Sequence, residues 1–268
     1  MKQIIHLFRI DYKKLKHYRT FWVIIGMYFI ILGLFTSSFM EFLKWLKSKL
    51  PDMDLNVYKI PLYHFPDIWQ NITYASSFFK IMVGVLVVIS ITNEYSYRTL
   101  RQNVIDGVSR LDFLISKIAT NLGLSVASAL FIFVIGLVTG LIYTPELEWK
   151  YVVQSMPFVA AYGLQMFTYL SFALMLGIII QRSGLTILLL MFASTIELII
   201  KLNLPDSLEV IKQYFPMDAI DNLVPNPFLK YVFQEIQDYV SLAAVAIAMA
   251  WMFLFNYFSY RRLKSADI

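Results

Sequence analysis

Residues 118–145 read IATNLGLSVASALFIFVIGLVTGLIYTP, twenty-eight positions without a charged side chain. About 20 mostly apolar residues in a helix cross the ~30 Å hydrocarbon core of a bilayer, so this stretch is long enough to span one. Its apolar character is continuous and does not alternate from residue to residue. That pattern points to a helix, whose backbone satisfies its own hydrogen bonds in lipid, and away from a barrel strand.

Five more stretches of this kind flank it. Residues 21–40 are uncharged, 72–92 are broken only by Lys80, and 157–181 close an uncharged run that begins at Tyr151. Residues 184–201 hold Glu197, and 239–260 are uncharged. The reading is an all-α integral membrane protein with six transmembrane helices at 21–40, 72–92, 118–143, 157–181, 184–201 and 239–260. They form one domain over residues 1–268. Composition agrees: 59% of the 268 residues are hydrophobic and 15% charged, against roughly 45–50% and about 25% in soluble chains.

Little in the chain can do chemistry. It has no cysteine, which removes disulfides, thiol nucleophiles and thiolate metal sites together. The histidines are His6, His17 and His64, all outside the spans and none beside a metal-ligand partner in sequence. No phosphate-binding G-x-x-x-x-G-K-[ST], H-E-x-x-H or G-x-S-x-G is present. The expectation is a chain that is not an enzyme and binds no metal or cofactor of its own.

The net charge of +5 is unevenly placed. Fourteen Lys and Arg fall in 1–20, 93–117, 181–183 and 261–268, against eight in 41–71, 146–150 and 201–238, and the last segment also carries six acids. Positive charge is retained on the cytoplasmic side, so both termini are expected there. The basic balance is mostly this bias, and a nucleic-acid role has no separate support.

Outside the spans, residues 1–20 have the spacing of an interfacial elbow helix. Ile4, Ile5, Phe8, Tyr12 and Leu15 share an arc of about 100°. Lys2, His6, Arg9, Lys13 and His17 lie beside it, suited to anionic headgroups of the membrane lipid. The alternative is a charged tail that only orients span 1.

Residues 93–117, NEYSYRTLRQNVIDGVSRLDFLISK, are the most patterned connection. Residues 99–105 make a short amphipathic helix with Leu100, Val104 and Ile105 apolar and Arg98, Arg101 and Gln102 polar. Asp106-Gly107 is a turn signal. Ser109 with Asp112 three residues on resembles a capping box. A new helix then starts near Arg110 and enters span 3, with Lys117 at headgroup level.

On the other side, 41–50 extend span 1, 206–215 read as a short helix closed by Pro216, and Asn226-Pro227 opens a helix leading to span 6. Gly136 and Gly140 either mark close helix packing or are chance spacing. Glu197, about 20 Å along its span at 1.5 Å per residue, is a candidate on a translocation path. Its alternative role is an ion pair with Lys201, four residues on. Lys80 is expected to snorkel to the nearer interface.

The 93–117 segment resembles the loop between spans 2 and 3 of ABC-2 type permeases, the membrane subunits of certain ATP-binding cassette transporters. Glu94, Thr99, Leu100, Val108-Ser109-Arg110, Phe113-Leu114 and Lys117 occupy the family's positions, while Arg98 stands where a Gly is usual. The wording EYSYRTLRQNVIDGVSR is similar to versions from Bacteroidetes-type bacteria, and the ending YRRLKSADI resembles the family's basic tail. The resemblance implies a coupling helix that docks on a separate ATPase subunit carrying ATP and Mg. Glu94, Arg98, Thr99, Leu100, Arg101, Ser109 and Arg110 would be the coupling residues, and the 181–183 turn a second contact. It also implies a second permease copy, identical or related, enclosing a path with spans 1, 2 and 5, in the bacterial inner membrane. The rival reading is a stand-alone carrier or channel, which needs polar midplane sites and often internal repeats.

Overall fold

The computed structural model describes residues 18–49, 62–227 and 239–265. The expected elbow helix at 1–20 and the helix after Asn226-Pro227 fall almost wholly outside these residues. Among the described residues, five helices are long and apolar enough to cross a membrane: α1 (Arg19–Lys49), α5 (Arg110–Tyr143), α7 (Pro157–Ile180), α8 (Ser183–Leu202) and α11 (Leu242–Ser265). Two more helices, α2 (Ile68–Ser77) and α3 (Lys80–Ser96), reach that length and hydropathy only together across a 43° bend; counted as one broken span they make a sixth. Short helices α4 (Thr99–Ile105), α6 (Trp149–Gln154), α9 (Glu209–Lys212) and α10 (Pro216–Asp221) lie in the connections.

The stretch expected to span at 72–92 thus begins within α2 and bends at 78–79. At the bend, the hydroxyls of Thr73, Ser76 and Ser77 donate to the carbonyls of Trp69, Ile72 and Tyr74 in the preceding turn. Such back-bonding competes with the backbone ladder and bends helices. Pro216 also acts differently from expectation. It does not merely end a helix over 206–215 but opens α10 at its first turn, where its missing N–H costs nothing.

The core is organised around α7, which packs on α11, α3, α5 and α2. It is the most enclosed span, with Phe158, Tyr162, Met166, Leu170, Ala173, Leu174 and Ile178 buried. The Tyr162 hydroxyl meets that of Tyr28 on α1 at 3.0 Å, so two phenols that would be stranded in lipid satisfy each other. The Gly136 and Gly140 spacing marks close packing rather than chance. A Cβ on Gly136 would come within 2.8 Å of the Trp69 ring, and one on Gly140 would strike Phe65. Trp69 in turn stacks on Phe133 and donates its indole N–H to the Val152 carbonyl at 2.7 Å.

Contacts sort the connections onto two sides. Tyr18 at the start of the described chain accepts from Asn93 at 3.1 Å, and Arg110 reaches Leu263 and Lys264 at its end. Both described ends therefore share one side with α4. The 203–227 segment and α6 lie on the far side.

Candidate functional site

The connection 93–117 folds into a rigid elbow because each of its turns is chemically closed. Tyr97 and Arg98 donate back to Asn93 and Tyr95 at 2.9 and 3.1 Å, ending α3. Arg98 then takes the left-handed region, φ 55. Glycine adopts that conformation without steric cost while other residues rarely do, which gives the family's usual Gly at this position its physical reason. α4 spans the seven residues expected. It closes with a Schellman pair, Val108 N–H to Asn103 at 2.9 Å and Gly107 N–H to Val104 at 3.1 Å, with Gly107 at φ 87. Ser109 caps α5 by accepting the Asp112 N–H at 3.0 Å. The capping box is only half formed, since the Asp112 carboxylate receives the Ser109 hydroxyl at 2.6 Å.

Beneath the elbow lies a buried ion pair. Lys117, from the second turn of α5, reaches Glu94 on α3 at 3.0 Å. The other carboxylate oxygen accepts from the Thr99 hydroxyl in the first turn of α4. Glu94 and Lys117 are 5% and 7% exposed, and the ammonium stands 5.2 Å from the Phe113 ring. Lys117, expected at headgroup level from its place in the sequence, is turned into the protein. It is the counter-charge that lets Glu94 be buried. Leu100 and Phe113 close the packing at 2% and 3% exposure.

The candidate residues divide into two groups. Glu94, Thr99 and Leu100 hold the elbow from inside. Arg98, Arg101 and Ser109 face outward, with Gln102 and Tyr97 beside them. Ile105, expected on the buried face, is 69% exposed. At four residues' spacing it falls on the same face as Arg101. Arg110 plays a different part, because its guanidinium donates to the carbonyls of Leu263 and Lys264 in the last turn of α11. The second turn, between α7 and α8, passes through Gln181 at φ 59 and leaves Arg182 exposed.

Glu197 lies near the far end of α8, 5% exposed. Its two carboxylate oxygens accept the N–H groups of Met217 and Asp218 at 2.7 and 3.1 Å, the orphan donors at the start of α10. The expected ion pair with Lys201 is present at 3.4 Å, and Lys201 also binds Asp218 at 2.6 Å. The other end of α10 is held as well: Asp221 pairs with Lys80 and accepts from Gln165 at 3.2 Å. Lys80 therefore has a fixed partner on the far side. Apart from the Glu197–Lys201 pair, these partners were invisible in sequence, because 17 to 141 residues separate the groups that meet.

The described residues form an all-helical bundle with a capped elbow between its second and third spans, as expected of an ABC-2 permease. The chain matches the family model described as "ABC-2 family transporter protein" over residues 7–197, and it belongs to that family. A comparison with curated proteins found no match.

Proposed function

We propose that the chain is the permease subunit of an ATP-binding cassette exporter, working as a pair of permeases on a separate ATPase that supplies ATP and Mg. The observation that carries this is the elbow. A buried Glu94–Lys117–Thr99 anchor makes it rigid, and an outward face of Arg98, Arg101, Gln102 and Ile105 offers a partner both charge and one apolar knob. A surface of that kind transmits a rigid push into α3 and α5, which both run from it toward the far side. Arg182 on the second turn adds a smaller contact. Ser109 serves by capping α5, and Arg110 by tying the elbow to α11.

The second copy covers α8, the least buried span with only 17% of its apolar window inside the chain. α1 shares this openness, with Trp22, Val23, Met27, Ile30 and Leu34 all exposed. The elbow side faces the cytoplasm of a bacterial inner membrane, in line with the positive charge it carries. Glu197 enters the path through the position of the far-side segment it holds, since its oxygens already serve α10. The stand-alone carrier loses its best midplane acid by the same contacts.

The test is a pull-down of the tagged full chain from native membranes in mild detergent. Recovery of an ATPase with a Walker A lysine, lost on combining Arg101→Ala with Ile105→Ala at unchanged size-exclusion profile, is the expected result. Repeated recovery of the wild-type chain without any ATPase in two detergents overturns the proposal.

A further inference from the structure

A second feature lies away from the elbow. Between α5 and α7, toward α6, is a groove of about 820 Å³. Leu122, Val126 and Leu130 form one wall, Ala160 and Phe167 the other, and Gly163 lines the groove where its Cβ position lies 3.3 Å from Ala129. Among the described residues, Ser125 is the only polar side chain lining it and no side chain fills it. Leu122 and Leu130 are 47% and 59% exposed.

We infer that this groove binds one acyl chain of a zwitterionic phospholipid whose headgroup lies on the α6 side. Three observations select that occupant. The first is length. From Leu122 to Phe133 the groove runs about 16 Å at 1.5 Å per residue, roughly half of the ~30 Å hydrocarbon core. A transmembrane helix from a partner needs the full thickness, whereas an acyl chain needs one leaflet.

The second is the rim. The groove's outer end is lined by Val153 and Met156 of the α6 turn. Lys150 lies three residues before Val153, on the same helix face. It is exposed, and Trp149 beside it is 72% exposed, as aromatic side chains are at headgroup level. The third is charge. The rim also carries Glu146 and Glu148, both exposed. One cation with two carboxylates within five residues matches a headgroup that has a phosphate and an ammonium, and repels one that is purely anionic.

The test is native mass spectrometry of the delipidated full chain, titrated separately with phosphatidylethanolamine, phosphatidylcholine and phosphatidylglycerol of equal acyl length. The expected result is retention of one zwitterionic lipid about tenfold more strongly than the glycerol lipid. Ala160→Phe, which fills the groove from an exposed position, weakens retention of all three by about tenfold through lost methylene burial. Lys150→Glu abolishes the headgroup preference while leaving chain binding in place. Equal retention of the three lipids by the wild type overturns the proposal, as does wild-type retention by Ala160→Phe with an unchanged unfolding temperature. Efficient disulfide dimerisation of Val126→Cys in membranes also overturns it, by showing that a second copy fills the groove. None of these outcomes depends on an ATPase.

Discussion

The Arg110 guanidinium sits 2.9 Å from the Leu263 carbonyl and 2.7 Å from that of Lys264. It satisfies two of the acceptors that the end of α11 leaves without helical partners. A cation at a helix C-terminus is favoured by the macrodipole as well. The first residue of α5 thus grips the last turn of the span that packs most extensively on α7.

Removing this grip is expected to loosen the end of α11 without unfolding the bundle. For Arg110→Ala we expect a loss of about 1–2 kcal/mol, since charge-assisted bonds count for more than neutral ones but the Lys264 site is open to solvent. Hydrogen exchange of amides 258–265 should rise by about tenfold while the amides of α7 keep their protection. Arg110→Lys, with a single donor centre in place of a planar fork, should fall between the two. Unchanged exchange in Arg110→Ala sinks this account of α11.

The buried Glu94–Lys117 pair predicts a non-additive series. Either single change, Glu94→Leu or Lys117→Met, strands an uncompensated charge and should cost about 3–5 kcal/mol. The double change removes both charges and should cost clearly less than either single one. Thermal unfolding in detergent reads this directly. A double variant less stable than both singles would mean that the pair's charges are not what the elbow depends on.

Glu197→Leu should release α10. Both N–H groups lose their acceptor, and a buried unsatisfied donor costs about 1–3 kcal/mol. The measurable result is faster proteolysis within 203–215, with cleavage elsewhere unchanged. Glu197→Gln, which keeps an acceptor oxygen, should be cut at an intermediate rate. If Glu197→Leu is cut no faster than the wild type, then Lys80 and Gln165 hold α10 sufficiently by themselves.

The sequence alone determined the all-helical membrane class and the elements of the elbow. Insertion into lipid depends on a sum of transfer terms along one segment, and a helix cap or a Gly turn depends on residues within five positions of each other. Hence Ser109 capping α5, Gly107 closing α4 and the seven residues of α4 were all legible from one stretch of chain. The bend at 78–79 was not, because hydroxyl back-bonding to the preceding turn is one choice among several for Thr73, Ser76 and Ser77. Tertiary structure alone decided that Lys117 is buried against Glu94, that Arg110 grips α11 and that Lys80 meets Asp221. It also turned Ile105 outward and opened the groove between α5 and α7. Each of these depends on which helix faces which, and charges or cavities shared by segments up to 154 residues apart leave no periodicity in the chain that makes them.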